Sequence, residues 1–124
     1  MNARGATFVE ALVAIVIVGM AAAAMLPAFM TQLDANTRSG QRTGAVSAAE
    51  VELEDLRLGD PELMPSSGSS SPQMIVVGDQ AYQVTTFYCE RSELCGDTTR
   101  HIRVEVRLNG ETIHEVQTVF TQLR

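Results

Sequence analysis

Few residues of this chain have types and spacing suited to chemistry. His101 and His114 are the only histidines, and both fall in stretches of alternating character, RHIRVEVRL and ETIHEVQTVF. A general acid or base must meet a nucleophile, carboxylate or substrate proton within hydrogen-bond reach. No Ser, Cys or carboxylate motif accompanies either histidine, so both read as sheet residues and no enzymatic activity is expected. Cys89 and Cys95 stand in C-x5-C spacing, which is wrong for a C-x-x-C redox motif, and one pair cannot supply four zinc ligands. Outside the cytoplasm such a pair can close a disulfide, contributing about 2 kcal/mol for so short a loop. Glu90, Glu93 and Asp97 surround that loop without the ordered ligand spacing of a calcium site. A solvated acidic loop is expected, with no metal and no cofactor.

One further carboxylate is out of place. In RGATFVEALVAIVIVG, residues 4–19, Glu10 stands at the mouth of a long apolar run. Residues 11–30, ALVAIVIVGMAAAAMLPAFM, contain no charge. As a helix they span roughly 30 Å, the hydrocarbon thickness of a bilayer. The run is apolar on all sides, so it suits lipid or other apolar helices. An acid inside such a span costs on the order of 2.5–3.5 kcal/mol at the centre and less near the end. Arg4, the apolar core and Ala22-Ala23-Ala24 also fit a conventional secretory signal cleaved near Ala24. Neither a plain anchor nor a plain signal explains Glu10.

The elements that must position these residues follow from periodicity. Pro27 removes a backbone hydrogen bond from the apolar helix, so a kink or local unwinding is expected there. Gly19 is a second soft point and permits close helix approach. After the polar stretch TQLDANTRSGQRTG, Val46, Ala49, Leu53 and Leu56 follow the spacing of one helical face. Ser47 and Glu50 have capping-box spacing, so a fresh helix start and continuity past Gly40 and Gly44 both remain open. Gly59, Asp60 and Pro61 end the helix. PSSGSSSP, residues 65–72, reads as a flexible connector.

Beyond it the period changes to two. Tyr82, Val84, Thr86 and Tyr88 alternate after a short MIVV segment, and Ile102, Val104, Val106 and Leu108 alternate with Arg103, Glu105 and Arg107. Asn109-Gly110 marks a hairpin turn. The returning strand is ambiguous in phase: Ile113 belongs to one face, Val116 and Phe120 to the other, and a bulge near the turn reconciles them. The expected fold class is α+β: a long N-terminal hydrophobic helix followed by a small antiparallel β-sheet. The divisions are an apolar half-helix over residues 6–30, an amphipathic half over 31–58, a Ser/Pro-rich loop over 59–73 and a sheet with its cysteine loop over 74–124.

The charge balance narrows the partners. The chain has 124 residues, nine basic and fifteen acidic, for a net charge of -6, and every basic residue is arginine. An acidic surface repels phosphate backbones, so direct nucleic-acid binding is not expected. Arg100, Arg103 and Arg107 form the only candidate basic patch, and residues of that kind on a strand usually make a solvated face.

Arg4-Gly5-Ala6-Thr7-Phe8-Val9-Glu10, followed by the unbroken apolar run, resembles the class III signal of type IV pilins and type II secretion pseudopilins. VEALVAI is similar to the pattern of the minor, PilV- or GspI-like branches. The resemblance implies a leader of residues 1–5, cut by a prepilin peptidase after Gly5, with N-methylation of Ala6 by the same kind of enzyme. It makes Glu10 the assembly residue and Pro27 a helix-loosening proline. Ala6 departs from the more usual Phe or Met. The implied protein is a minor pilin or pseudopilin, single-pass in the inner membrane with a cytoplasmic N-terminus. It is then extracted by an inner-membrane assembly platform into a filament with other pilins, in the periplasm or at the cell surface. The alternative is a small binding domain secreted by conventional signal cleavage.

Overall fold

The computed structural model describes residues 3–121, and the side chains of residues 7–121. Helix α1 runs unbroken over Ala3–Leu58 and is followed by β1 (Gly68–Ser69), β2 (Gln73–Val77), β3 (Gln80–Tyr88), β4 (Thr99–Leu108) and β5 (Glu111–Thr121). The layout is α+β, with one long N-terminal helix and then a five-stranded antiparallel sheet. No second helix start occurs at Ser47; the helix passes Gly19, Pro27, Gly40 and Gly44 without a break. It stops where the sequence turns to Gly59-Asp60-Pro61. The Gly59 amide bonds the Leu56 carbonyl, and the Asp60 carboxylate caps a one-turn 3-10 helix over Pro61–Leu63.

The chain divides into two compact units, residues 1–39 and 40–124. The second holds the hydrophobic core. Tyr82, Val84 and Tyr88 from β3 and Ile102, Val104, Val106 and Leu108 from β4 are buried against Ala45, Ala48 and Ala49 of the helix. Each fully buried Val or Ile contributes on the order of 1.5–3 kcal/mol relative to exposure. The sheet-facing stripe is therefore shifted from the expected one. Ala49, Leu53 and Leu56 do pack on the core, but Val46 is 38% exposed and Ala45 replaces it. The reason is steric. Alanines and Gly44 let the helix backbone approach the sheet, where a bulkier valine would hold it off. A Cβ on Gly44 would lie 2.8 Å from Tyr82 Cζ, and the Tyr82 hydroxyl donates to the Gln41 carbonyl at 3.1 Å.

The sheet is a meander in the order β1-β3-β4-β5, with β2 beside β1 on the same edge of β3. Gly68 pairs with Tyr88 and Gln73 with Val84, so residues 68–77 act as one interrupted edge strand. The Ser70 amide donates to the Thr86 carbonyl at 2.7 Å, and the Thr86 amide donates to Ser70 Oγ at 3.0 Å. The serine-rich stretch is thus tied to the sheet rather than being a loose connector, because short hydroxyls can substitute for ladder partners. Asn109 and Gly110 both adopt positive φ, +51° and +84°, as a two-residue type I′ hairpin demands.

The β4–β5 register slips between Val106 and Arg107: Val106 faces His114, whereas Arg107 faces Thr112. Ile113 is the extra residue. This bulge turns Ile113 inward together with Val116 and Phe120, and all three pack against the core. The two phases read in the sequence are both real, one on each side of the bulge.

Candidate functional site

In the first unit the described side chains of the helix, residues 7–39, are all exposed. Phe8, Ile15, Ile17, Val18, Met20, Leu26 and Met30 are each more than 60% exposed. The most apolar 18-residue window has mean hydropathy 2.5 and none of it is buried. This is one helix long and apolar enough to cross a membrane, and a signal sequence near an N-terminus has the same properties. Contiguous apolar surface on this scale is unusual in water and is of a kind suited to lipid or to other apolar helices.

Glu10 projects from this surface. It is exposed and, among the described residues, makes no hydrogen bond or ion pair. Residues 11–33 carry no charge; the next charged side chain is Asp34, which is bonded to Arg38 one turn on at 3.2 Å. Glu10 is therefore isolated from every described cation by several helical turns. Gly5 and Ala6 fall in the first turns of α1, outside the residues whose side chains are described, and residues 1 and 2 lie outside the described residues altogether. Near Pro27 the Thr31 hydroxyl donates to the Pro27 carbonyl at 2.9 Å, a local bond within the helix.

The second unit has a different electrostatic character. On the sheet face turned from the helix, Arg103 lies over the Phe87 ring at 4.0 Å. Its guanidinium donates to Glu90 through Nε at 2.5 Å and Nη2 at 2.9 Å, and reaches Glu105 at 3.2 Å and Glu115 at 3.4 Å. The bidentate bond to Arg103 holds the Glu90 carboxyl below the usual carboxylate range, and the same bond raises Arg103. Glu90 is thereby engaged in an ion pair rather than free to join Glu93 and Asp97 around a cation.

The three arginines of the candidate basic patch are each occupied. Arg107 meets Glu105 at 3.4 Å and the Gly110 carbonyl at 2.9 Å. Arg100, buried on the opposite face, donates to the carbonyls of Met64, Gly96 and Thr99. That face separation follows from parity along β4, which puts Arg100 on the side of Ile102 and away from Arg103. Each of the three arginines thus has partners within the chain.

Cys89 and Cys95 form a disulfide with Cα atoms 5.8 Å apart. The loop they close is pinned to β4: the Cys89 amide donates to the His101 carbonyl at 2.8 Å, and the His101 amide donates to Cys95 Sγ at 3.2 Å. His101 is 3% exposed and neither ring nitrogen has a hydrogen-bond partner. His114 is half-buried on β5 opposite Val106. The His101 ring lies close enough to Glu90 for its charge to act on that carboxyl, without a hydrogen bond between them.

One buried polar contact escaped sequence reasoning. Glu52, 7% exposed, accepts a 2.8 Å hydrogen bond from the Thr86 hydroxyl inside the helix–sheet interface. Burial, and next the Glu52 charge, push the Tyr88 hydroxyl above its ordinary value. The available signal was Glu52 lying three residues after Ala49, on the same helical face. Set beside known proteins, the chain matches no family model, no curated protein and no solved structure.

Proposed function

We propose that this chain is a structural subunit of a type IV pilus or a type II secretion pseudopilus, a minor pilin or pseudopilin assembled through its N-terminal helix. The observation that carries the reading is Glu10, a carboxylate without a described partner on the exposed apolar part of the helix, residues 7–39. Cleavage after Gly5 creates a cationic amine on Ala6, one helical turn from Glu10. Among packed apolar helices neither charge is tolerated alone. A neighbour's amine against Glu10 neutralises both, with roughly 4 kcal/mol of gross attraction at about 4 Å and an effective dielectric of about 20. Desolvation offsets much of that gain. The pair therefore acts chiefly on axial register, because a wrong stagger leaves two buried charges. Pairing within one chain competes, since both groups lie at the helix end where the dipole also favours a carboxylate.

On this reading the partners are other pilins or pseudopilins, a prepilin peptidase with N-methyltransferase activity and an inner-membrane assembly platform. The subunit waits in the inner membrane, N-terminus cytoplasmic, and its sheet faces the periplasm or the cell surface once assembled. A second reading, a binding domain released by signal cleavage near Ala24, draws on one observation. Among the described residues the buried hydrophobic ones begin at Ala45, so removing the first part of the helix leaves them intact.

Intact mass and N-terminal sequencing separate the two. A mature chain starting at methylated Ala6 is expected; one starting near Met25 overturns the filament reading. The variant Glu10→Ala should be processed and inserted normally, yet enter filaments about tenfold less, equivalent to roughly 1.4 kcal/mol. Unchanged incorporation would remove Glu10 from its assigned role.

A further inference from the structure

The two edges of the sheet differ in character. β5 carries Glu111, His114 and Glu115 along one, while β2, Gln73-Met74-Ile75-Val76-Val77, carries no charge along the other. The chain has no charged residue between Glu62 and Asp79. Among the described residues β2 pairs with β3 alone. Residues 122–124 do not reach it. They span at most about 11 Å, whereas β5 and β2 are separated by three strand spacings, about 14 Å.

The ladder decides which groups β2 offers. Thr86 directs both its amide and its carbonyl to Ser70, on the β1–β2 side of β3. Peptide groups alternate sides along an antiparallel strand, so Val84, Tyr82 and Gln80 direct theirs the same way. Their partners Gln73, Ile75 and Val77 are therefore bonded to β3. Met74 and Val76 are left with amide and carbonyl turned outward. The same two residues carry exposed apolar side chains, 64% and 69% exposed, while Ile75 and Val77 pack on the core.

A strand laid along this edge must offer outward peptide groups at alternate positions, apolar side chains on one face and no charge. β2 itself meets all three conditions when turned antiparallel. We propose that β2 pairs with the β2 strand of a second copy across a two-fold axis at Ile75. Met74 then faces Val76 of the partner subunit in a hydrogen-bonded pair, and Val76 faces Met74 of the partner subunit in another. One register thus satisfies the free backbone groups and covers the exposed side chains. A slip of one residue sets outward groups against groups already bonded to β3. β5 of a second copy is the poorer occupant, because it brings Glu111 and Glu115 to an edge without a cation. Five-residue strands bury little, so the contact belongs with weak, transient interfaces. It is isologous and closes on a pair, so it goes beyond the filament reading and does not depend on it. Its effect is to occupy an uncharged edge that is otherwise a template for indiscriminate strand pairing.

The test uses the full-length protein in detergent micelles, mixing Met74→Cys and Val76→Cys copies that carry different affinity tags. The native cysteines are already joined to each other. Cα atoms of a hydrogen-bonded pair stand about 5.5 Å apart, within disulfide range. Position 74 and its own counterpart are two residues out of step, more than about 7 Å apart and beyond that range. Mild oxidation of the mixture should give cross-linked dimers at least about tenfold above either variant alone. Equal yields from mixed and single samples, no dimer, or a better yield of Met74→Cys with Val119→Cys on β5 overturns the proposal. Ile75→Cys, on the axis, should cross-link with itself. Adding Met74→Lys and Val76→Lys to that chain should lower its yield at least about tenfold, and an unchanged yield overturns the pairing. Unchanged thermal melts verify that each variant folds. Positions 74 and 76 are exposed, so the mixed experiment stands even if Ile75→Cys fails to fold.

Discussion

Ala21, Ala22, Ala23 and Ala24 are exposed on the first part of α1, while Ala45, Ala48 and Ala49 on the same helix are buried to 2% exposure or less. The glycines divide in the same way. Gly19 has nothing within 4 Å of where a Cβ would stand, and Gly44 has Tyr82 against it. Identical residue types thus serve two purposes. In residues 7–39 small and large apolar side chains make an exposed surface with no cover from the described residues. In residues 40–121 they adjust the distance between helix and sheet so that the chain supplies its own partner. Propensity is shared along the helix; the neighbours differ.

The strongest way to break this comparison is to separate its halves. A fragment of residues 40–124 should stay soluble without detergent and melt cooperatively, whereas the full chain should require detergent or membrane. Aggregation of the fragment would show that its core depends on the first unit.

Gly44→Val should destabilise that cooperative unit by about 2–3 kcal/mol, because overpacking forces Tyr82 or the helix to move. Gly19→Val should leave the same denaturant melt within about 0.5 kcal/mol of wild type. Equal effects at the two glycines would erase the distinction. A buried acid offers a finer comparison with exposed Glu10. Thr86→Val removes the hydroxyl that serves Glu52 and should cost about 2 kcal/mol by the same melt.

The smallest effect concerns Glu90, whose carboxyl in the folded state lies below its unfolded value. Its contribution is present above the ordinary carboxylate range and is lost as pH falls through the depressed folded value. The pair is partly exposed, so Glu90→Gln should cost less than about 1 kcal/mol at neutral pH. The gap from wild type should close in strongly acidic solution, as measured by urea titrations across pH.

Much of the fold was legible because it rests on local pattern. The period-two runs located β3 and β4, Asn109-Gly110 located the hairpin, and the conflicting phases of Ile113 and Val116 revealed a bulge before any register was known. The helix stripe was misread by one position, since hydropathy ranks Val46 above Ala45 while the sheet selects for size. The serine-rich segment read as loose because its pairing with β3 depends on a partner strand far along the chain. The candidate assembly site was legible in outline: an isolated acid on an uncharged run is visible in one dimension. The engagement of every arginine in the supposed basic patch was not.

The sequence by itself determined the apolar span, the lone acid at its mouth, the order helix-then-sheet and the spacing of the cysteines. Those follow from residue type and interval alone. Only the tertiary structure decided that Glu52 is buried beside Thr86, that Gly44 is a notch for Tyr82, and that Arg100 is held by the carbonyls of Met64, Gly96 and Thr99. Each of these depends on which surfaces meet across tens of residues, and periodicity carries no information about the distance at which two surfaces come to rest.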